Sequence, residues 1–406
     1  MNESHKYIQN IRCYTAYRLF WGLLIIGPIL MPYLLLKGLS YSEIMILQSV
    51  AAISVVLFEV PTGTIADKIS RKLSIFLGAV CMGIALTVYV LADSFYALAI
   101  AEAIFGLGMT FGSGADTALL HESLDRMGRK DDYTRIEGRA IAVVFAGQGI
   151  GAIVSSILYT YNPNLPFWIS VANMFIAALI SLGFVETERQ KSEHQYHIHV
   201  LRSVNIVFKT PRILWTVLLA VLMGFAFRSC FWLYEPFFKT VHIEVVWYGT
   251  IFFFFNVVAA LSAKFLNHRF NSYRRVLLCL GIILAASYLL PALFVYPWAI
   301  GIIASQQIVR GMYRPTLNAY INRQIDDQYR ATVISIVSLS ANLSYACLAP
   351  LVGTSLDTWG AIPTYVWMGT VTLGGILLLG LLRKAQRLRQ PIEIPSEEGL
   401  RLETGT

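Results

Sequence analysis

Several ionisable side chains lie inside long apolar runs: Arg18, Glu102, Arg228, Glu235, Arg310 and Arg314. A charge at bilayer depth is costly unless it faces a cavity or a partner, so each marks a candidate functional position. Glu102 sits among Ile100, Ala101, Ala103, Ile104 and Phe105. In such surroundings a carboxyl favours its neutral form, which suits it to carrying a proton. The other reading is an ion pair with Arg228 or Arg310. Glu235 is a second candidate for proton exchange. Arg228 and Arg310, with Gln306 and Gln307 beside the latter, could hold an acidic group of a small molecule. Phe227, Phe231 and Tyr234 fall at i, i+4 and i+7 beside Arg228, a face suited either to stacking on an amphipathic ligand or to plain packing.

The elements that position these groups are legible from composition. The 406 residues are 56% hydrophobic and only 14% charged, with mean hydropathy +0.60. Apolar runs long enough to cross a hydrocarbon core of about 30 Å recur along the chain. They span 12–36, 42–66, 73–92, 95–120, 136–160, 165–185, 212–238, 243–266, 276–296, 297–321, 332–357 and 361–383. Lipid cannot satisfy exposed backbone, so the expected fold is an all-α membrane protein of twelve helices. Lys68, Arg71 and Lys72, then Arg126, Arg129, Lys130 and Arg135, then Arg189, Lys191, Arg202, Lys209 and Arg212 fill alternate loops, as do Arg269, Arg274 and Arg275 and the tail. The opposite loops offer Lys37 and Lys239. This asymmetry places both termini in the cytoplasm, and the net charge of +8 then reflects topogenic loops and anionic lipid rather than nucleic acid.

A polar stretch divides the chain into 1–185, a linker 186–211, 212–383 and a tail 384–406. The parts echo each other at an offset of about 200 residues. Asp131-Asp132-Tyr-Thr-Arg135 matches Asp326-Asp327-Gln-Tyr-Arg330, Pro32 matches Pro236, and Glu102 four before Gly106 matches Gln307 four before Gly311. Such a six-plus-six duplication places a substrate site between two bundles near the midplane. His194, His197 and His199 of the linker have no acidic or cysteine partners that would complete a metal site. The five cysteines are scattered without a CxxC pair and read as small core residues.

Between the second and third runs lies PTGTIADKISRK. Gly63, Ala66, Asp67, Arg71 and Lys72 match G-x-x-x-D-(R/K)-x-x-(R/K)-(R/K) and resemble the loop motif of the major facilitator superfamily. The resemblance covers residues 10 to 385. It implies secondary transport by alternating access, with a cavity lined by helices 1, 4, 7 and 10, the helices that carry most of the buried charges listed above. On this reading Gly63 lets helix 2 end beside a neighbouring backbone. Asp67 accepts from the N-terminus of helix 11, Pro61 kinks or ends helix 2, Glu59 joins the network, and Asp116 meets Arg71 or Arg139. Gly63, Asp67, Arg71, Asp116 and Glu59 thus form a gating set. Helix 4 carries Glu102 where many drug:proton antiporters carry arginine, so coupling does not transfer directly. Gly147 and Gly151 form a GxxxG that signals close packing more than direction of transport.

No P-loop is present, and no enzyme site is discernible. The expected function is proton-coupled efflux of amphipathic small molecules across a bacterial plasma (inner) membrane. The alternatives are transport of an anionic or zwitterionic metabolite such as a siderophore-like product and, less favoured, lipid flipping. The expected partners are a small-molecule substrate and the bilayer, with no nucleic acid, no cofactor beyond the proton gradient, and a monomer as the working unit.

Overall fold

The computed structural model describes residues 3–187, 211–266, 272–323 and 327–385. Most of the linker with its three histidines, Arg269, Asp326 and the tail beyond 385 lie outside the described residues. Every regular element among them is helical: α1 (Glu3–Gly22), α2 (Leu30–Leu36), α3 (Tyr41–Lys68), α4 (Arg71–Leu91), α5 (Phe95–Gly112), α6 (Ala115–Arg126), α7 (Tyr133–Tyr161) and α8 (Leu165–Ser181) come first. They are followed by α9 (Pro211–Thr240), α10 (Val245–Leu266), α11 (Tyr273–Leu293), α12 (Ile300–Ile303), α13 (Ser305–Asn322), α14 (Asp327–Trp359) and α15 (Ala361–Ala385). Ten helical stretches are long and apolar enough to cross a bilayer. Two of the twelve expected spans fall outside that set. α8 has 17 residues, and the tenth span is divided into α12 and a polar α13 that carries both glutamines and both arginines.

Two further spans are broken. α1 stops at Gly22, and the chain re-forms as α2 only after Gly27 and Pro28, where proline supplies no amide. Asn173 of α8 donates to the exposed Leu23 carbonyl at 2.9 Å, satisfying backbone that lipid could not. The fourth span divides into α5 and α6 at Gly114, whose φ of +79° favours glycine. Of the two outcomes expected at Pro61, a kink or an end, the end does not occur. α3 runs through it to Lys68, and the Thr62 and Thr64 hydroxyls bond back to the Phe58 and Val60 carbonyls at 2.8 and 2.9 Å. Cys230 is buried, but Cys279 and Cys347 are exposed on their helices rather than in the core; a thiol is apolar enough for a lipid-facing surface.

Within the N-terminal set, α3 and α4 pack on α5 and α4 packs on α8; within the C-terminal set, α11 packs on α13 and α15, α9 on α14, and α10 on α13. The two sets meet where α3 packs on α14 and α7 on α10. Among the described residues, the hydrogen bonds and closest backbone approaches across this seam gather at one end. The Asp357 carboxylate of α14 accepts from the Tyr41 and Ser42 amides, and the Tyr41 hydroxyl donates to Glu235 at 3.2 Å. A methyl group on Gly353 would lie 2.5 Å from the Tyr41 carbonyl, and one on Gly249 would collide with the Ala152 carbonyl. We call this the far face, because the motif loop and the other basic loops lie at the opposite, cation-rich face. Toward that second face α3 exposes Leu57, Phe58, Glu59 and Val60, and α13 exposes Arg310, Arg314 and Asn318 at i, i+4 and i+8. A polar strip exposed along a membrane-crossing helix is the expected lining of an aqueous cavity, and this strip runs toward the cation-rich face.

Replacing Gly249 with leucine leaves no room for α7 against α10. The expected outcome is that Ala152→Cys, placed at a residue only 3% exposed, becomes reactive toward a membrane-impermeant maleimide in the Gly249→Leu background. Unchanged protection would show that the seam tolerates the bulk.

Candidate functional site: a polar cavity between two helix sets

Glu102 lies on α5 and is 4% exposed. Its Oε1 accepts from Gln48 Nε2 of α3 at 2.6 Å and from the Tyr89 hydroxyl of α4. Oε2 has no donor among the described residues and is not sealed from solvent. Gly106, one turn further on, makes this reach possible. A methyl group there would lie 2.8 Å from the Ala51 carbonyl and from Ser54, so α5 can approach α3 closely only without a side chain.

The C-terminal set repeats this construction with opposite charge. Gly311 of α13 lies where a methyl group would be 2.5 Å from the Ala259 carbonyl and 3.1 Å from Ser262. Close approach there lets Arg310 Nη1 donate to Asn256 Oδ1 at 3.1 Å and to Gln307 Oε1 at 3.5 Å. Gln307 Nε2 in turn donates to the Tyr234 hydroxyl at 2.9 Å. Gln48 and Asn256 therefore stand in corresponding places, as do Glu102 and Gln307, and the Glu/Gln-x-x-x-Gly echo in the sequence has a packing cause.

Arg228 of α9 donates from Nη1 to Asn342 Oδ1 at 2.6 Å, and its Cζ lies 4.0 Å from the Tyr345 ring centroid. The Tyr345 ring is itself buried, so a π face takes the place of water against this guanidinium. Each asparagine is anchored by its own helix: Asn256 Nδ2 bonds the Phe252 carbonyl at 2.9 Å and Asn342 Nδ2 the Ser338 carbonyl at 3.0 Å. That back-bonding turns each amide oxygen toward its guanidinium. Among the described residues no carboxylate pairs with Arg228 or Arg310, and none of the basic groups pairs with Glu102, so the expected ion pair between them is corrected. Neutral amides and phenols solvate these charges instead. Along α9, Phe227, Arg228 and Phe231 are partly exposed while most neighbours are buried. Phe231 and Tyr234 also meet Phe252 edge-on at 6.0 and 5.7 Å. Gln306 is fully buried, with both amide atoms lacking a partner among the described residues. Glu235 belongs to the far-face closure and not to the cavity.

The gating residues assemble differently from expectation. Asp116 pairs with Arg18 at 3.2 Å, not with Arg71 or Arg139. Arg18 also approaches Glu137 at 3.8 Å, and Tyr14 donates to Glu137. The reason is the break at Gly114, which turns Asp116 toward α1. Arg71 reaches Glu122 at 2.5 Å and Asp67 at 3.9 Å. The free amides of α4 are taken by Glu186, which accepts from Arg71 N at 2.9 Å, Lys72 N at 3.2 Å and the Ser70 hydroxyl at 2.9 Å. Asp67 is 72% exposed, and its expected partner, the start of α14, adjoins residues outside the description. Glu59 is exposed and forms no ion pair among the described residues. Nothing among the described residues lies within 4 Å of a methyl group placed on Gly63, so the expected close approach there is absent. In the neighbouring loop Asp132 bridges Arg129 and Arg135 at 2.7 and 2.6 Å, and the Arg129 hydrogen bond chiefly holds its carboxyl below the usual range.

Gln48, Tyr89, Asn256, Asn342, Tyr345, Glu137 and Glu186 were not singled out from sequence. Uncharged amides inside apolar runs were the available signal for the first, third and fourth.

A bundle of membrane-crossing helices around a polar, charge-bearing interior is the architecture of a multi-pass membrane transporter. The family model for the Major Facilitator Superfamily matches residues 13–246 and 238–402, and the chain belongs to that superfamily. The uncharacterized MFS-type transporter YxaM of Bacillus subtilis (strain 168) is 21% identical over 386 residues, covering 92% of this chain and 96% of that protein. The quinolone resistance protein NorA of Staphylococcus aureus (strain MRSA252) is 22% identical over 392 residues, covering 93% and 96%. In fold, a mutant of the nucleoside transporter NupG superposes with TM-score 0.77 at 15% identity, covering 93% of this chain and 100% of that one. The POT family transporter PepTSo superposes with TM-score 0.73 at 11% identity, covering 96% and 99%.

The Glu186 cap should be measurable locally. Glu186→Ala is expected to speed amide hydrogen exchange at Arg71 and Lys72 about fivefold, the effect of losing about 1 kcal/mol of capping. Glu186→Gln, which keeps an acceptor, should change it less.

Proposed function

We propose that this transporter is a proton-coupled exporter of amphipathic small molecules, working by alternating access with its cation-rich face in the cytoplasm. The observation that carries the reading is Glu102: a carboxyl at membrane depth, held by neutral donors, with one oxygen open and no countercharge. A group so placed can exchange a proton with the cavity without first breaking an ion pair. Similarity to the quinolone resistance protein NorA supports export of aromatic compounds. The uncompensated Arg228 and Arg310 favour substrates that carry an acidic group, and so keep transport of an anionic or zwitterionic metabolite as the second reading. In this scheme Phe227, Phe231 and Gln307 border the substrate, the 1–185 and 212–383 bundles rock about it, and Gly63, Asp67 and Arg71 close the cation-rich face in the alternate state.

Glu102→Gln mimics the protonated carboxyl. In proteoliposomes it should abolish accumulation driven by an imposed pH difference, yet still permit exchange of labelled for unlabelled compound. Accumulation by this variant on a pH difference alone would sink the proton reading. For the arginines, Arg228→Gln and Arg310→Gln should each weaken binding of acid-bearing aromatic test compounds about tenfold or more. Their methyl esters should bind the variants and the parent alike; equal losses for acids and esters would point to a packing role.

A further inference from the structure

The far-face closure contains a helix cap that is completed from the other side of the molecule. At the start of α3, Ser40 and Glu43 form a capping box: the Ser40 hydroxyl accepts from the Glu43 amide at 3.2 Å, and the Ser40 amide donates to Glu43 Oε2 at 2.8 Å. A helix leaves its first amides without internal partners, and this box serves only part of them. The amides of Tyr41 and Ser42 are left over. Both donate to one carboxylate, Asp357 of α14, at 3.0 Å to Oδ1 and 2.8 Å to Oδ2, and the Ser42 hydroxyl adds a bond of 2.5 Å to Oδ2. The Ser42 hydroxyl also lies 3.4 Å from that of Thr354.

Asp357 lies in the last turn of α14, where a negative charge opposes its own helix dipole. Its position is favourable only toward the positive end of α3. Gly353, one turn earlier, provides the close approach, since a side chain there would strike the Tyr41 carbonyl and Ser42. The neighbouring bond from the Tyr41 hydroxyl to Glu235 fastens the same turn of α3 to α9.

We infer that Asp357 is a conformational clasp: it caps α3 across the seam only while the far face is closed, and so biases the transporter toward the state open at the cation-rich face. α3 and α14 run antiparallel, and each carries an aspartate in its last turn, Asp67 and Asp357. Rocking the bundles apart at the far face breaks the Asp357 contact with the start of α3. The clasp is water-exposed, so its release exchanges charge-assisted bonds for hydration and shifts the balance by a moderate factor rather than an absolute one.

The test uses the full-length protein in nanodiscs, its native cysteines replaced, with spin labels at Tyr96→Cys and Tyr296→Cys, both exposed at the far face. Asp357→Ala should raise the ratio of far-face-open to far-face-closed distances about tenfold, equivalent to about 1.4 kcal/mol. Asp357→Asn, which keeps an acceptor oxygen but loses the charge, should fall between it and the parent. Ser40→Ala, which removes only the local cap, should leave the distances unchanged. A distribution for both Asp357 variants that superimposes on the parent overturns the clasp. So does a shift in Ser40→Ala as large as that in Asp357→Ala, because simple fraying of α3 would then explain both.

Discussion

A charged side chain at bilayer depth must find its hydrogen bonds within the protein, and the interior of this transporter is arranged around that constraint. Glu102 is met by Gln48 and Tyr89, Arg310 by Asn256 and Gln307, and Arg228 by Asn342 and the face of Tyr345. All these partners are neutral. They lower the cost of burial while leaving the charge uncancelled, which is what a site for protons or ionic substrates requires. Had the acid and the arginines paired with one another, the same burial would have produced a structural ion pair with little left to offer a ligand.

Neutral solvation of this kind needs short helix–helix distances, and the glycines supply them. Gly106 against Ala51 and Ser54, and Gly311 against Ala259 and Ser262, bring each cavity helix close enough to its neighbour for a short amide side chain to span the gap. The two sets repeat this local solution but fill it with opposite charge. The interior therefore carries an acid in one set and bases in the other.

The two ends of the seam are unequal. At the far face, backbone approaches backbone at Gly249 and Gly353, and Asp357 ties α3 to α14. At the cation-rich face, among the described residues, Arg71 is tied to Glu122 and the start of α4 to Glu186, both within the N-terminal set.

Much of the fold was legible in the sequence, because hydrocarbon forces any long apolar run into a helix and a buried charge toward a cavity. The runs, the buried charges on spans 1, 4, 7 and 10 and the loop motif required no three-dimensional information. The breaks at Pro28 and Gly114 coincide with helix-breaking residues, yet Pro61 carries the same mark in an unbroken helix. Partner choice was beyond reach. Which carboxylate meets Arg18, which amides solvate Glu102 and Arg310, and where Asp357 finds its donors all depend on the register of packed helices. Side chains a few ångströms apart there are separated by tens to hundreds of residues in the chain. Sequence alone determines what must be buried and what must be satisfied; only the packed structure decides by whom, because hydrogen bonds act over about 3 Å and respond to nothing but distance and angle.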